Sequence, residues 1–363
     1  MTPSSQSATL SMANPTIAVE ALRRAAVRAT LAPSVHNTQP WQLVIGRGTL
    51  EIHADFSRQL QVLDPTRRQL IISCGCAVLN ARVSLAADGY PATVRWPADP
   101  GRPDLLAELS SCPDGDLSLA MLDPVLTLRR TNRREFFDDA VPSQLIEVLI
   151  EAADREGGQL VMIDEPAHRR ATALLSQRAD AIENADPRYR AELRAWVTED
   201  PRRTDGVAFA TVPNGRGPAG DRVPLRGHGA HEHGGLPEHT RSSSDQCLLL
   251  LGSDSDDPLS WLRAGQALER VWLEVTRAGY VMSLFTQVIE VPATRQLLRS
   301  ELGLSMQPHV LLRVGRAPAT PFTRRRKLVD VLRQHPRGSL IPDRRLTATG
   351  LLALTASELP GGR

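Results

Sequence analysis

The sequence predicts an α+β protein made of two related α/β halves in tandem, and three observations carry that prediction. The chain has 363 residues, more than twice a common domain of about 150, so two units fit within it. Stretches with apolar residues at i, i+3 and i+4 alternate with short apolar runs bounded by glycine, the pattern of mixed helices and strands. An internal repeat then divides the chain. GCAVLNARVSLAADGY from Gly75 lies over GQALERVWLEVTRAGY from Gly265, 190 residues on, with matches at the glycine, the alanine, the apolar ladder and the closing Gly-Tyr. WQLVI at Trp41 likewise resembles GQLVMI at Gly158, each after an amphipathic helix. Helix matched to helix and strand to strand points to two homologous halves that are decorated unequally.

In order along the chain, residues 16–32 form an amphipathic helix, and 42–45 and 50–53 are two strands around Gly46 and Gly48. Residues 71–88 form a long, mostly apolar helix that Gly89 ends and Pro91 follows, the order expected beyond a helix C-terminus. Residues 92–96 read as a strand and 97–115 as a proline-rich connection. In the second half, 143–154 is a helix, 159–163 a strand, and 167–198 carries long helices. Residues 200–243 are rich in Gly, Pro, His and Arg and poor in apolar residues, which marks a long insertion read as a lid or a disordered segment. A strand at 247–251, a helix at 259–278 and a strand at 308–314 complete the set. The predicted units are a disordered tail (1–15), a first half (16–128), a second half (129–335) with the insertion at about 200–243, and a C-terminal tail (336–363).

Lys plus Arg at 43 against Asp plus Glu at 41 leaves a formal charge of +2, too balanced for a protein that coats nucleic acid. Lys327 is the only lysine, a bias that points to a GC-rich genome such as an actinobacterium's. No apolar run approaches the roughly 18 residues of a membrane span, and the polar N-terminus is not a signal peptide, so a cytoplasmic location is expected. Cys74, Cys76, Cys112 and Cys247 match no common zinc spacing and read as buried thiols. His228, His231, His233 and His239 cluster in the insertion, but glycine-rich surroundings leave such ligands poorly preorganised, so no metal is expected.

The most specific string is Pro33-Ser34-Val35-His36-Asn37-Thr38-Gln39-Pro40-Trp41, between the first helix and the first strand. Two prolines fix the backbone, while Ser34 and Asn37 offer short, rigid polar groups of the kind that read the edge of a planar heterocycle. From composition alone a capped turn fits equally. The string resembles the Pro-Ser-x-x-Asn-x-Gln-Pro-Trp signature of the FMN-dependent nitroreductase superfamily, over nine residues. Arg129, Thr131 and Arg133, within Leu128-Arg129-Arg130-Thr131-Asn132-Arg133-Arg134, are similar to the superfamily's Arg-x-Ser/Thr-x-Arg motif for the FMN phosphate. The planar guanidinium fork suits that task because it makes bidentate, charge-assisted bonds to phosphate oxygens. Arg324-Arg325-Arg326-Lys327 resembles the C-terminal basic residues that approach the same phosphate. Taken singly, each basic run also fits a solvated face.

The resemblance implies the α/β sandwich of that superfamily, whose members hold each FMN between the Arg motif of one subunit and the Pro-Ser loop of the other. Here both halves sit on one chain, and one complete site can be assembled from them. Residues 1–22 contain no Arg or Lys, and the second half has only Asp154-Arg155-Glu156-Gly157-Gly158 where the loop belongs. The expectation is an intramolecular pseudo-dimer, monomeric, with one FMN, similar to the Acg-like branch found in mycobacteria and related actinobacteria, which also carries a lid. The implied cofactor residues are Pro33, Ser34, Val35, Asn37, Arg129, Arg130, Thr131, Arg133, Arg324 and Arg326, with Thr286 and Gln287 near flavin N5. The implied activity is hydride transfer from NAD(P)H through the flavin to a small nitro, quinone or similar acceptor, with no catalytic side chain required. The alternative is a lidded flavoprotein that sequesters FMN or senses redox state without turnover.

Overall fold

The computed structural model describes residues 16–212, 223–226 and 246–333; the four histidines of the insertion and both tails lie outside these. Helix α1 (Val19–Ala29) buries Ala21, Leu22, Ala25, Ala26 and Ala29, the stripe its apolar spacing calls for. Strands β1 (Trp41–Ile45) and β2 (Thr49–Ala54) form the hairpin, turned where Gly48 takes φ +76°. Helix α2 (Arg68–Ala87) follows and ends at Gly89 with φ +81°. Strand β3 (Ala92–Arg95) comes next, and the stretch expected as a connection contains strand β4 (Leu105–Ser111). Its residues alternate poorly because Leu105, Leu106 and Ala107 are all buried, so the period-2 signal is weak. A short helix α3 (Asp123–Leu126) closes the first half.

The second half repeats the plan with insertions. Helix α4 (Ser143–Asp154) leads to strand β5 (Gln159–Met162). The expected long helices are α5 (Pro166–Ala185) and α6 (Pro187–Ala195), divided where the Asp186 side chain caps the N–H of Arg188 and Pro187 takes the first helical position. Two-residue strands β6 (Val197–Thr198) and β7 (Val207–Ala208) pair in parallel. Strand β8 (Cys247–Ser253) and helix α7 (Pro258–Arg277) follow, then strand β9 (Val281–Leu284) after Gly279 at φ +76°. Helices α8 (Gln287–Glu290) and α9 (Pro292–Glu301) precede strand β10 (Gln307–Gly315) and helix α10 (Leu328–Val331).

The repeat becomes geometry here. One antiparallel sheet has the order β1-β2-β4-β3 and the other β5-β8-β10-β9, the same succession in each half. Helices α2 and α7 cross at the matched glycines. A Cβ on Gly75 would lie 2.2 Å from the Leu262 carbonyl oxygen, and one on Gly265 would lie 2.0 Å from that of Ile72, itself 190 residues before Leu262. Equivalent residues meeting each other is the mark of a twofold interface, here closed within one chain. One apolar core runs through both sheets and both helices, with Trp41 and Trp272 among its fully buried side chains. Helix α2 is long and apolar enough to cross a membrane by length and composition, a property missed in the linear reading; 89% of that window is buried inside the protein.

Each half also reaches over the other. Residues 129–134 lie along β9, where Thr131 bridges Met282 and the Asn132 N–H donates to the Met282 carbonyl at 2.9 Å. In the opposite direction Leu332 bridges Leu43 in β1, and the Arg333 N–H donates to the Leu43 carbonyl at 2.8 Å.

Candidate functional site

The Pro33–Trp41 loop has an unusual backbone. His36, Asn37 and Gln39 have φ of 47°, 56° and 50°, left-handed values that side chains with a Cβ adopt only when surroundings enforce them. Ser34 is one enforcing group, since its Oγ accepts from the Gln39 N–H at 2.9 Å and its carbonyl accepts from the Asn37 N–H at 2.9 Å. From α2, the Ser73 hydroxyl accepts from the Val35 N–H at 3.2 Å while donating to the Gln69 carbonyl at 2.7 Å. The loop is therefore held on the helix at the seam between the halves.

Against it lies a cavity of about 110 Å³. The first half supplies Pro33, Ser34, Val35 and His36 from the loop and Gln69, Ile72, Ser73 and Cys76 from α2. The second half supplies Thr131, Arg133, Arg226, Leu268, Trp272, Leu284, Thr286 and Val310. Of the residues expected from the sequence, the cavity thus gathers Pro33, Ser34, Val35, Thr131, Arg133 and Thr286. The extended strip along β9 explains the alternation, because Thr131 and Arg133 face the cavity while Asn132 turns away to donate to the Pro318 carbonyl at 2.8 Å.

The other expected residues do not line the cavity. Asn37 is buried behind the loop, where its Nδ2 donates to the carbonyls of Gly206 at 3.0 Å and Arg324 at 3.2 Å, and its Oδ1 has no partner. Arg129 stacks on the Trp272 ring at 4.7 Å, pairs with the fully buried Glu269 at 3.3 Å and donates to the Leu31 carbonyl. Arg130 stacks on Phe322 at 4.7 Å. Gln287 donates to Asp180 at 2.6 Å. Arg324 is exposed, and the Arg326 guanidinium is spent on the Gln39 and Asp330 carbonyls.

Several site residues were not singled out from the sequence. Arg325, the middle of the basic run, turns inward to the Ala32 carbonyl at 3.3 Å, and burial with Arg129 beside it pulls its guanidinium down to about 9. Gln69 and Trp272 each bring a buried donor, Nε2 and Nε1, that has no partner. Trp272 had a readable signal, since the repeat pairs it with Arg82. Arg226 donates to Tyr189, Thr286 and Glu290 and lies 3.8 Å from Glu183. Burial with Glu290 alongside lifts Glu183 to about 8 even against Arg226.

The electrostatics favour a negative guest. Arg133 lines the cavity with no hydrogen-bond or ion-pair partner among the described residues, and burial, reinforced by the charge of Arg226, lowers it to about 10. Burial raises Glu269 to about 7 against the pull of Arg129, so its negative charge is weakly held. Burial also raises the Cys76 thiol well above its usual range, which keeps it neutral. Unpartnered donors, the Arg133 guanidinium and the walls of Ile72, Leu268, Trp272 and Val310 offer the chemistry that a planar heteroaromatic group carrying an anion needs, in a cavity that at about 110 Å³ is smaller than a whole flavin nucleotide.

The mirror position on the other side of the α2–α7 crossing is built differently. There an open groove of about 550 Å³ has Arg82 in the place of Trp272, Gln266 in that of Cys76 and Trp96 in that of Thr286. Arg82 pairs with Glu156 and takes Gln266 at 2.9 Å, and Arg270 joins Glu156 at 2.7 Å to Asp116 at 3.0 Å. On this side the side chains of Arg82, Gln266, Glu156, Arg270 and Asp116 are tied to one another.

No family model matches the chain. It is 33% identical over 324 residues to the Mycobacterium tuberculosis protein named "Putative NAD(P)H nitroreductase Rv3131", covering 86% of this chain and 91% of that relative. It is 28% identical over 342 residues to "Putative NAD(P)H nitroreductase acg" of the same organism, covering 87% of this chain and 96% of the relative. Among solved structures it is similar to the FMN-dependent nitroreductase NfnB of Mycobacterium smegmatis in complex with NADPH, at 16% identity and a TM-score of 0.35, over 60% of this chain and 99% of that one. With its Pro-Ser loop, its two fused halves and a mycobacterial relative matched across nearly its full length, the chain belongs to the nitroreductase family, in the Acg-like branch.

Proposed function

We propose that the protein is an FMN-dependent NAD(P)H oxidoreductase that reduces small nitro, quinone or similar acceptors, with one flavin per chain in the cavity between the halves. The observation that carries this reading is the Arg133 guanidinium, which lines a cavity beside the Pro33–Asn37 loop without a partner among the described residues. When bound, FMN supplies the two-electron chemistry, accepting a hydride from NAD(P)H and delivering it to the acceptor.

The chain's residues do the holding and the tuning. The Pro33–Val35 part of the loop and the Gln69 amide hold the flavin end, and Thr131 and Arg133 hold the phosphate end, with the charges of Arg129 and Arg325 behind them adding to the positive potential there. The Arg133 guanidinium in a site with apolar walls favours negative charge there, and Ile72, Leu268, Leu284 and Val310 keep water from it. The neutral Cys76 thiol supports a site in which no side chain acts as a nucleophile. In the mirror groove Arg82 and Arg270 are taken up by Glu156 and are not available to a phosphate, which supports one flavin per chain and, with the twofold interface already internal, a monomer.

A second reading, a flavoprotein that retains FMN without turnover, is favoured by Arg226, whose bonds to Tyr189, Thr286 and Glu290 fix it on the wall of the same cavity. The deciding experiment is a visible spectrum after FMN loading and desalting, followed by anaerobic mixing with NADPH or NADH. Retained colour that bleaches within seconds supports the oxidoreductase. Retained colour that only dithionite bleaches supports the second reading, and a colourless protein overturns both.

A further inference from the structure

Two segments that cross from the second half meet on one buried side chain of the first. Gln39 has no solvent exposure; its Nε2 donates to the Thr204 carbonyl at 2.8 Å and to the Asn37 carbonyl within its own loop at 3.3 Å, while its Oε1 accepts from the Arg326 N–H at 2.8 Å. Its carbonyl accepts from the Arg326 guanidinium at 3.3 Å. One amide thereby joins the Pro33–Trp41 loop, the strip just before β7 and the basic run whose Arg325 turns in beside Arg129. The task needs two N–H donations and one acceptor at a single branch point, which an amide provides and an ionised carboxylate or an alkyl chain does not. Gln39 does not line the cavity, so it acts through the groups it holds.

We propose that Gln39 is the positioning residue that sets Arg325 against Arg129 and so controls the affinity of the anion end of the site. This rests on the flavin reading above. Asn37 braces the same two segments, yet both its bonds are donations to carbonyls, whereas Gln39 alone ties the backbone N–H of the basic run to the loop.

The discriminating variant is Gln39→Glu. Ionised, one carboxylate oxygen still accepts from Arg326 while the other faces the Thr204 carbonyl as acceptor against acceptor. Protonated, its hydroxyl donates to that carbonyl and the crossing bond is restored, while the longer bond to the Asn37 carbonyl stays lost. The charged groups around it are Arg326, which lies 3.8 Å from Asp55, and Arg58, which donates to the Thr38 carbonyl and pairs with Asp205. None of them changes between wild type and variant, so the ratio of the two proteins isolates residue 39.

The expected result is an FMN Kd about 10-fold weaker than wild type at pH 8 for Gln39→Glu, with the ratio closing as pH falls towards 5. Gln39→Met should be weakened by a similar factor at every pH. A Gln39→Glu ratio near one at pH 8, or one that does not move with pH, overturns the proposal. Amide hydrogen exchange on the flavin-free proteins gives a readout that does not depend on FMN. Faster exchange of the Arg326 N–H in Gln39→Met, with the α2 and α7 amides unchanged, supports the proposal, and unchanged exchange at Arg326 overturns it. A wild type that binds no FMN would sink the flavin reading while leaving this exchange result to judge the brace.

Discussion

Arg133 and Glu269 are two residues whose charges burial disfavours. Arg133 has no partner among the described residues, so taking its charge out of water costs stability that a bound anion would return. Arg133→Met should therefore weaken FMN binding by roughly 10- to 100-fold while leaving the flavin-free protein as stable as wild type or more so. Isothermal titration and thermal melts on the same preparations check it, and a less stable apoprotein with unchanged FMN affinity would remove Arg133 from the site. Glu269 makes a pH prediction. Its carboxyl goes from 4.5 in the unfolded chain to about 7 in the fold, so between those values the native state binds the extra proton. Stability should fall as pH rises through that window, by on the order of 3 kcal/mol. Glu269→Gln should lose this slope, whatever constant offset comes from leaving Arg129 without its carboxylate. Parallel wild-type and variant curves of stability against pH would refute the assignment.

At the scale of elements, the crossing of α2 and α7 carries the architecture. Gly75→Ala and Gly265→Ala put a methyl within 2.2 Å and 2.0 Å of a facing carbonyl, so the helices must separate. Each should cost about 3 kcal/mol or abolish folding. Gly89→Ala meets nothing within 4 Å and pays only for its φ of +81°, so about 1 kcal/mol is expected. Equal losses at all three sites, measured by chemical denaturation, would mean that helix contact is not what the glycine pair provides. The helices were readable because their apolar periodicity and terminal glycines are local signals. Strand β4 was not, since residues buried on both faces do not alternate. No element was assigned between 278 and 308, because β9, α8 and α9 are each short and pack on β10 and α5.

For the whole molecule, the repeat predicts a stoichiometry. Native mass spectrometry of the loaded protein should give a monomer of 39.7 kDa plus one FMN, because Arg82 and Glu156 occupy the mirror position. A second FMN per chain would show that this ion network does not exclude it, and a dimer would show that the internal interface leaves another face to bury. By itself the sequence determined the two related halves, the nine-residue loop and the basic runs, because helix period, glycine position and a contiguous motif are all local. Only the tertiary structure decided which arginines point inward. Arg325 and not its neighbours joins Arg129, Thr131 and Arg133 face the cavity while Asn132 does not, and Asn37 and Gln39 spend their amides on bracing segments more than 160 residues away. Side-chain direction in an extended strip alternates from one residue to the next, so its phase is set by the strand it pairs with, and that partner is distant in the chain.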